Sequence, residues 1–235
     1  QVARIELKGQ GGFLDMSTLK IAFRFVNTST ELDLILAGGV YSLISRIRVF
    51  CQGSLVEDCS HYSRVHHLVA ELMAPSNWRL NAAVESNLGK SAPADDHKGP
   101  ACVELIQIGE YATVLFSPSA LGIANCGKLW PIEFAPLSIE ITFAQPSAAV
   151  AFIFMEPTHP IKQDSSQDYV INNLHLQCSQ VIVDSALSNS FKSLLASGRS
   201  LSIAIQTIFT QAHVHQANST SAQISMVRAL SKLGI

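Results

Sequence analysis

The run Gly38–Met73, GGVYSLISRIRVFCQGSLVEDCSHYSRVHHLVAELM, constrains the fold more than any other part of the chain. It reads as strand, tight turn, strand and helix. Within Ser42–Phe50 the apolar residues Leu43, Ile44, Ile47, Val49 and Phe50 alternate in part with Arg46 and Arg48, which face the other way. Cys51-Gln52-Gly53-Ser54 is a turn, because glycine supplies the positive φ that a hairpin needs. Leu55-Val56 resume the strand and Glu57-Asp58 end it. From Ser60 onward Tyr62, Val65, His66, Val69, Leu72 and Met73 fall at helical spacing. A sheet with a helix across one end is a scaffold. Nothing in the run is arranged for chemistry, which points to a shell or binding protein before an enzyme.

Most of the remaining chain has strand character. Val2–Leu7 alternates, and Leu19–Val26 sets Ile21, Phe23 and Phe25 on one face and Lys20, Ala22 and Arg24 on the other. Thr28–Glu31 is a polar loop, and Leu32–Gly39 leads into the hairpin. The helix stops near Ala74-Pro75, since proline disfavours helix in the residue before it. Trp78–Leu88 is a second, weaker helix, and Gly89–Pro100 is a polar surface loop. Ala101–Ile108, Tyr111–Phe116, Lys128–Phe134, Leu137–Ala144 and Ala149–Met155 are further strands, with a turn or short helical insertion at Ser117–Gly127. Glu156–Gln167, polar and with two prolines, is the best linker. Tyr169–Val183 then alternates as a long strand through Val170, Leu174, Leu176, Cys178 and Val181. Asp184-Ser185 caps a helix over Ala186–Ala196 that ends at Gly198. Leu201–Thr210 returns to strand, and Ser225–Leu233 begins another strand or a short helix.

The chain thus divides into two blocks of strands, each with an inserted helix. The first is complete enough for an eight-stranded sandwich. The second holds about half the strands it needs, so the sequence is expected to be a fragment. Composition agrees with a chain that meets neighbours. Of its 235 residues 48% are hydrophobic and only 14% charged, against roughly 25% charged in ordinary domains. Such a chain either buries much of itself or turns apolar surface toward other subunits. A net charge of −2 argues against a broad phosphate-binding face. The longest apolar run, Ala148–Met155, falls short of the roughly 18 residues that cross a bilayer. Cys51, Cys59, Cys102, Cys126 and Cys178 are scattered without a C-x-x-C pair, the pattern of buried free thiols.

Candidate chemical motifs each lack a part. His213 and His215 lie at strand spacing on one face, but no carboxylate follows to complete a cupin-like metal site, so they read as a solvent-facing pair. Gly89-Lys90-Ser91 resembles the end of a phosphate loop, yet Val84 stands where the first glycine belongs. One of His66-His67 packs inward or bonds a carbonyl. Glu57-Asp58 and Asp95-Asp96 are chain neighbours that point apart, which does not make a catalytic dyad. Asn27-Thr28-Ser29 and Asn218-Ser219-Thr220 match glycosylation acceptors but are common by chance. Trp78 and Trp130 form no stacking row for single-stranded nucleic acid. No catalytic, cofactor-binding or metal-binding residue is therefore expected, and no specific nucleic-acid binding.

Taken in order, several segments resemble major capsid proteins of the double jelly-roll lineage, closest in look to those of polinton-like viruses, virophages and adintoviruses. Gly38-Gly39 leads into the strand Arg46–Phe50, then Gly53-Ser54-Leu55, the acidic step Glu57-Asp58 and the helix with Tyr62. Leu129-Trp130-Pro131 and Pro136-Leu137 match the paired strands that close the first roll. Asp184 and Leu195-Ala196-Ser197-Gly198 match the strand end and helix that open the second, and Arg228–Ile235 resembles the run before a later strand. The ordered set covers nearly the whole chain, departing at the end, where the family continues through several more strands.

The resemblance implies an all-β, mainly antiparallel double jelly roll with short inserted helices, the second roll incomplete in this chain. Residues 1–156 would form the first roll, 157–167 the linker and 168–235 the first part of the second. It implies a non-enzymatic shell subunit of an icosahedral double-stranded DNA virus, with three copies tiling as pseudo-hexagonal capsomers. Partners would be sister copies, neighbouring capsomers, penton and minor capsid proteins, and the location the virion, after assembly inside the host cell. The alternatives are a carbohydrate- or metal-binding jelly-roll module, recognised by a clustered polar site or bound ion, and a jelly-roll enzyme using His213 or His215.

Overall fold

The computed structural model describes residues 1–8, 12–36, 40–73, 106–146, 150–154 and 162–211. The strands are β1 (Val2–Leu7), β2 (Phe13–Asn27), β3 (Leu34–Leu36), β4 (Ile44–Cys51), β5 (Ser54–Ser60), β6 (Tyr111–Phe116), β7 (Leu129–Trp130), β8 (Leu137–Phe143), β9 (Val150–Phe154), β10 (Lys162–Ser165) and β11 (Tyr169–Val181). The helices are α1 (Tyr62–Met73) and α2 (Ser185–Ala196), with 3-10 turns at Val40–Leu43 and Ile123–Asn125. All the pairings are antiparallel. Sheet A has the order β1-β8-β4-β5, sheet B the order β11-β2-β6 with β7 also on β2, and a third sheet the order β10-β9-β3. The expectation of a mainly antiparallel all-β chain with short helices holds.

One core joins sheets A and B. Ile21, Phe23 and Phe25 of β2 and Val114 and Phe116 of β6 form a single buried cluster with Ile47 and Val49 of β4 and Ile139 and Ile141 of β8. Each of these strands sends alternate residues inward, so two one-sided sheets close on each other. Tyr62 and Val65 bring α1 onto the same cluster.

The β4–β5 hairpin follows from its turn. Gln52 and Gly53 have φ of 49° and 84°, both positive, between the paired residues Cys51 and Ser54. Two positive φ values in a two-residue loop match the right-handed twist of the flanking strands. Strand β5 does not end at Glu57-Asp58 but runs to Ser60, and α1 starts at Tyr62. The reason is a bulge: Val49 pairs with Glu57 and Phe50 with Leu55, leaving Val56 extra. The added residue reverses the alternation, so Leu55 faces out and Glu57 faces in.

Other boundaries moved for similarly local reasons. The strand expected over Lys128–Phe134 is only β7, because Pro131 cannot donate to a ladder. The chain turns there instead, with Phe134 and Ala135 N–H bonded to the Pro131 carbonyl and Trp130 Nε1 donating to the Ala135 carbonyl at 2.7 Å. Lys162–Ser165, expected in the linker, forms β10 on β9. Strand β11, expected to open the second block, hydrogen-bonds along β2 from Tyr169–Asn27 to Val181–Phe13. A register shift between Asn172 and His175, with Asn173 at φ 54°, swaps its faces. Ile171, Leu174, Leu176 and Cys178 therefore pack on the core while Val170 and Val181 are exposed. Leu201–Thr210 is neither strand nor helix, although Ile203, Ile205 and Ile208 still pack on the core. Alternation specifies an apolar side; it does not supply a ladder partner. The expected elements at Trp78–Leu88, Gly89–Pro100 and Ser225–Leu233 lie outside the described residues.

Candidate functional site

The outward face of sheet A carries a lattice of paired charges, in which Arg48 Nε alone among the described residues is buried without a hydrogen-bond partner. Register places Arg4 opposite Glu140, Glu140 opposite Arg48, and Arg48 opposite Asp58, a row of alternating sign across four strands. Arg48 pairs with Glu140, and Arg46 grips Asp58 through Nε at 2.7 Å and a terminal nitrogen at 2.5 Å. The Arg46 guanidinium holds the Asp58 carboxyl below its ordinary range. Arg4 donates to Ser138 Oγ at 3.0 Å and its guanidinium lies 4.9 Å from the Phe50 ring. Opposite charges on neighbouring strands fix register, and they leave little unmet charge for a partner.

Sheet B presents a different outer surface. Val170, Val26 and Tyr111 stand in register across β11, β2 and β6. Val170 is 47% exposed and Tyr111 57%, and the Arg24 guanidinium lies 4.2 Å above the Tyr111 ring. Ile108, in the turn before β6, is exposed at the same end, where the Asn27 N–H donates to the Glu110 carbonyl. The next row, Asn172, Arg24 and Thr113, is polar. At the far end Val181, Leu187 and Leu129 are exposed, and Ile182 is 84% exposed. Helix α2 touches this end through Phe191 against Phe13, ring centres 5.2 Å apart, and through Lys192 on Glu133 at 3.0 Å. Its N-cap Asp184 accepts from the Leu187 N–H at 2.7 Å, yet α2 buries no residue fully. From 169 to 211 every apolar side chain keeps some exposure, in contrast to the fully enclosed residues of β2 and β4.

A polar cluster is enclosed between these surfaces. Glu57, 2% exposed, accepts from the Gly122 N–H at 2.6 Å and the Ile123 N–H at 3.1 Å. Burial pushes its carboxyl up, against the downward pull of the two N–H groups. Nearby, burial and then the Glu57 and Asp58 charges push the Cys59 thiol up to about 12, so it is an inert thiol. His66, 3% exposed, has its Nδ1 in a hydrogen bond with the Tyr62 hydroxyl at 3.1 Å, with Ser119 Oγ at 3.5 Å. The Tyr41 ring lies 4.6 Å from its own and Phe116 meets it edge-on at 6.0 Å. Burial, with a smaller push from His67, lowers its pKa to about 4, so the imidazole is neutral near pH 7. Glu57, Cys59 and His66 are shut from solvent, Glu57 held by loop N–H groups and His66 by Tyr62, an arrangement that fixes structure.

The residues singled out from the sequence separate cleanly. Of the pair His66-His67, His66 packs inward as expected, and Tyr41 and His67 Nδ1 are 3.3 Å apart. Glu57 and Asp58 point apart, one into the core and one into the charge row. Asn27 is buried, its amide donating to the Leu32 and Ile106 carbonyls, which closes it to glycan attachment in the fold. Cys51, Cys59, Cys126 and Cys178 are free thiols. His213, His215, Gly89-Lys90-Ser91, Asp95-Asp96, Asn218, Trp78 and Cys102 lie outside the described residues. Among the described residues no three His, Cys, Asp or Glu side chains gather as metal ligands would, and no helix is long and apolar enough to cross a membrane. Sequence reasoning missed the apolar row of sheet B, because Val170 shares its alternation with core residues until the Asn173 shift is known. The pair Asn172-Asn173, a residue type tolerant of positive φ, was the available signal.

No family model matches the chain, and no curated protein matches it. Among solved structures it is similar to PBCV-1 VP54 as fitted into a cryo-EM reconstruction of the virophage Sputnik. The identity is 10% and the TM-score 0.47, over 81% of this chain and 40% of that one. It is similar also to a chain of a quasi-atomic model of the PBCV-1 virus capsid, at 10% identity and a TM-score of 0.45, over 81% of this chain and 40% of that one. The chain therefore spans about two fifths of the length of the chains it matches.

Proposed function

We propose that this protein is a structural subunit in the shell of an icosahedral double-stranded DNA virus, a major capsid protein of the double jelly-roll kind. It belongs with those of polinton-like viruses, virophages and adintoviruses, and it works by assembly instead of catalysis. Three copies make a pseudo-hexagonal capsomer, which meets neighbouring capsomers, penton and minor capsid proteins in the virion. Residues 1–156 form the first roll and 157–167 the joint. Residues 168–235 begin the second roll, whose opening strand β11 lies along β2.

The observation that carries this reading is the apolar row Val170, Val26 and Tyr111, extended by Ile108, on the outer face of sheet B. A one-sided sheet of a solitary protein sets mostly polar residues outward; sheet A carries the Arg4, Glu140, Arg48 and Asp58 row across its four strands, with Val2 and Leu55 exposed on its two edge strands. An exposed apolar row instead favours a surface that sister copies cover. The ordered motifs add support, since the Gly53 turn and the Asp184 cap each do a structural job.

Light scattering on the purified full-length protein tests the reading. Trimers or larger assemblies are expected, and electron microscopy is expected to show shells or capsomers. Tyr111→Ser combined with Val170→Asp is expected to give monomers that keep the wild-type thermal transition. A wild-type protein that stays monomeric at tens of micromolar and forms no particles refutes it.

A further inference from the structure

Residues 199–211 leave the end of α2 and cross the first sandwich without joining either sheet. Their hold on it is specific. Ile203, Ile205 and Ile208 rest against the core, Thr210 Oγ1 donates to the Ser60 carbonyl at 2.8 Å, and Lys128 Nζ donates to the Ser202 carbonyl at 3.4 Å. Between these ties the chain passes directly over Gly122. A Cβ at Gly122 would overlap the Gln206 carbonyl oxygen and sit 2.8 Å from Ile205 Cγ2. The glycine has ordinary right-handed backbone, φ −63° and ψ −32°, so close approach and not conformation is what requires it. Its N–H is one of the two that Glu57 accepts, so a buried side chain of β5 fixes the surface on which the segment lies.

We propose that residues 199–211 are a releasable strap, seated on the glycine surface of the loop Pro118–Cys126 and latched there by Glu57. The strap opens while both sheets stay folded, because it shares no ladder with them and its apolar side chains are only half-buried. Opening bares Ile203, Ile205 and Ile208 together with the surface they cover. This inference stands on the contacts around Gly122 and does not depend on the shell reading.

Limited proteolysis of the full-length protein with thermolysin, which cuts before Ile, Leu and Phe, tests it, with sites in β4 and β8 as internal controls. Gly122→Ala is expected to speed cleavage within 201–211 at least tenfold and leave β4 and β8 uncut. Glu57→Gln keeps the shape but has one carbonyl oxygen for two N–H donors, and is expected to speed cleavage of the strap by a smaller factor, again sparing β4 and β8. Thr210→Val is expected to act on the strap alone. Unchanged strap cleavage in Gly122→Ala and Glu57→Gln overturns the proposal. So does strap cleavage that rises only in step with β4 and β8, which would make the segment part of one cooperative unit.

Discussion

Acid is expected to weaken this fold through His66. The imidazole is 3% exposed, ringed by Tyr41, Tyr62, Phe116 and Ser119, with His67 beside it, and burial lowers its pKa from 6.5 to about 4. A group with a depressed folded pKa contributes its full stability above the unfolded pKa and loses it as pH falls through the folded one. The window is therefore pH 6.5 down to about 4. At pH 7 both states hold His66 neutral and little is lost. At pH 5 the unfolded chain is protonated while the folded one is mostly not, and the difference is about 2 kcal/mol. Glu57 works in the opposite direction, since its raised pKa favours the folded state as the carboxyl takes up a proton. A comparison of variants removes that contribution. Urea unfolding at pH 7 and pH 5 is measured for wild type and His66→Gln. The loss of stability between the two pH values is expected to be about 2 kcal/mol smaller in the variant. The His66 C2–H proton resonance of the wild type is expected not to titrate between pH 8 and pH 5. Equal losses in the two proteins, or a His66 titration near 6.5, refute the argument that burial keeps this ring neutral.

Three further outcomes test the fold. Gly53→Ala forces a side chain into φ 84° and is expected to cost about 1 kcal/mol in urea unfolding, with no change in m-value. Phe23→Ala empties a site that is 1% exposed at the centre of β2, and a loss of about 3–5 kcal/mol is expected. Asp184→Ala removes the cap of α2; exchange of the α2 amides is expected to quicken several-fold, about 1 kcal/mol locally, with the main thermal transition unmoved.

Much of the scaffold was legible in the residues, and the reason is visible case by case. Ile21, Phe23 and Phe25 alternate with Lys20 and Arg24, so their faces were fixed without any partner strand. Gln52-Gly53 announced a tight turn because few residues accept positive φ. Asp184 announced a helix start because its carboxylate can reach a free N–H three residues on. What escaped was every feature that needs a count against a partner. The bulge at Val56 turns Glu57 inward, and the shift at Asn173 turns Val170 outward. In each, one extra residue on one strand reverses which side chains meet the core. Nothing in the segment's own composition records that count.

The sequence by itself determined an antiparallel all-β scaffold, since side-chain period, turn glycines and helix caps are local quantities. The tertiary structure alone decided which residues meet solvent and which meet each other. It laid β11 along β2, split Glu57 from Asp58, set Val170 beside Tyr111 and brought Gln206 down on Gly122. Those choices follow from register and close approach between segments far apart in the chain, and such distances are settled only when the whole fold closes.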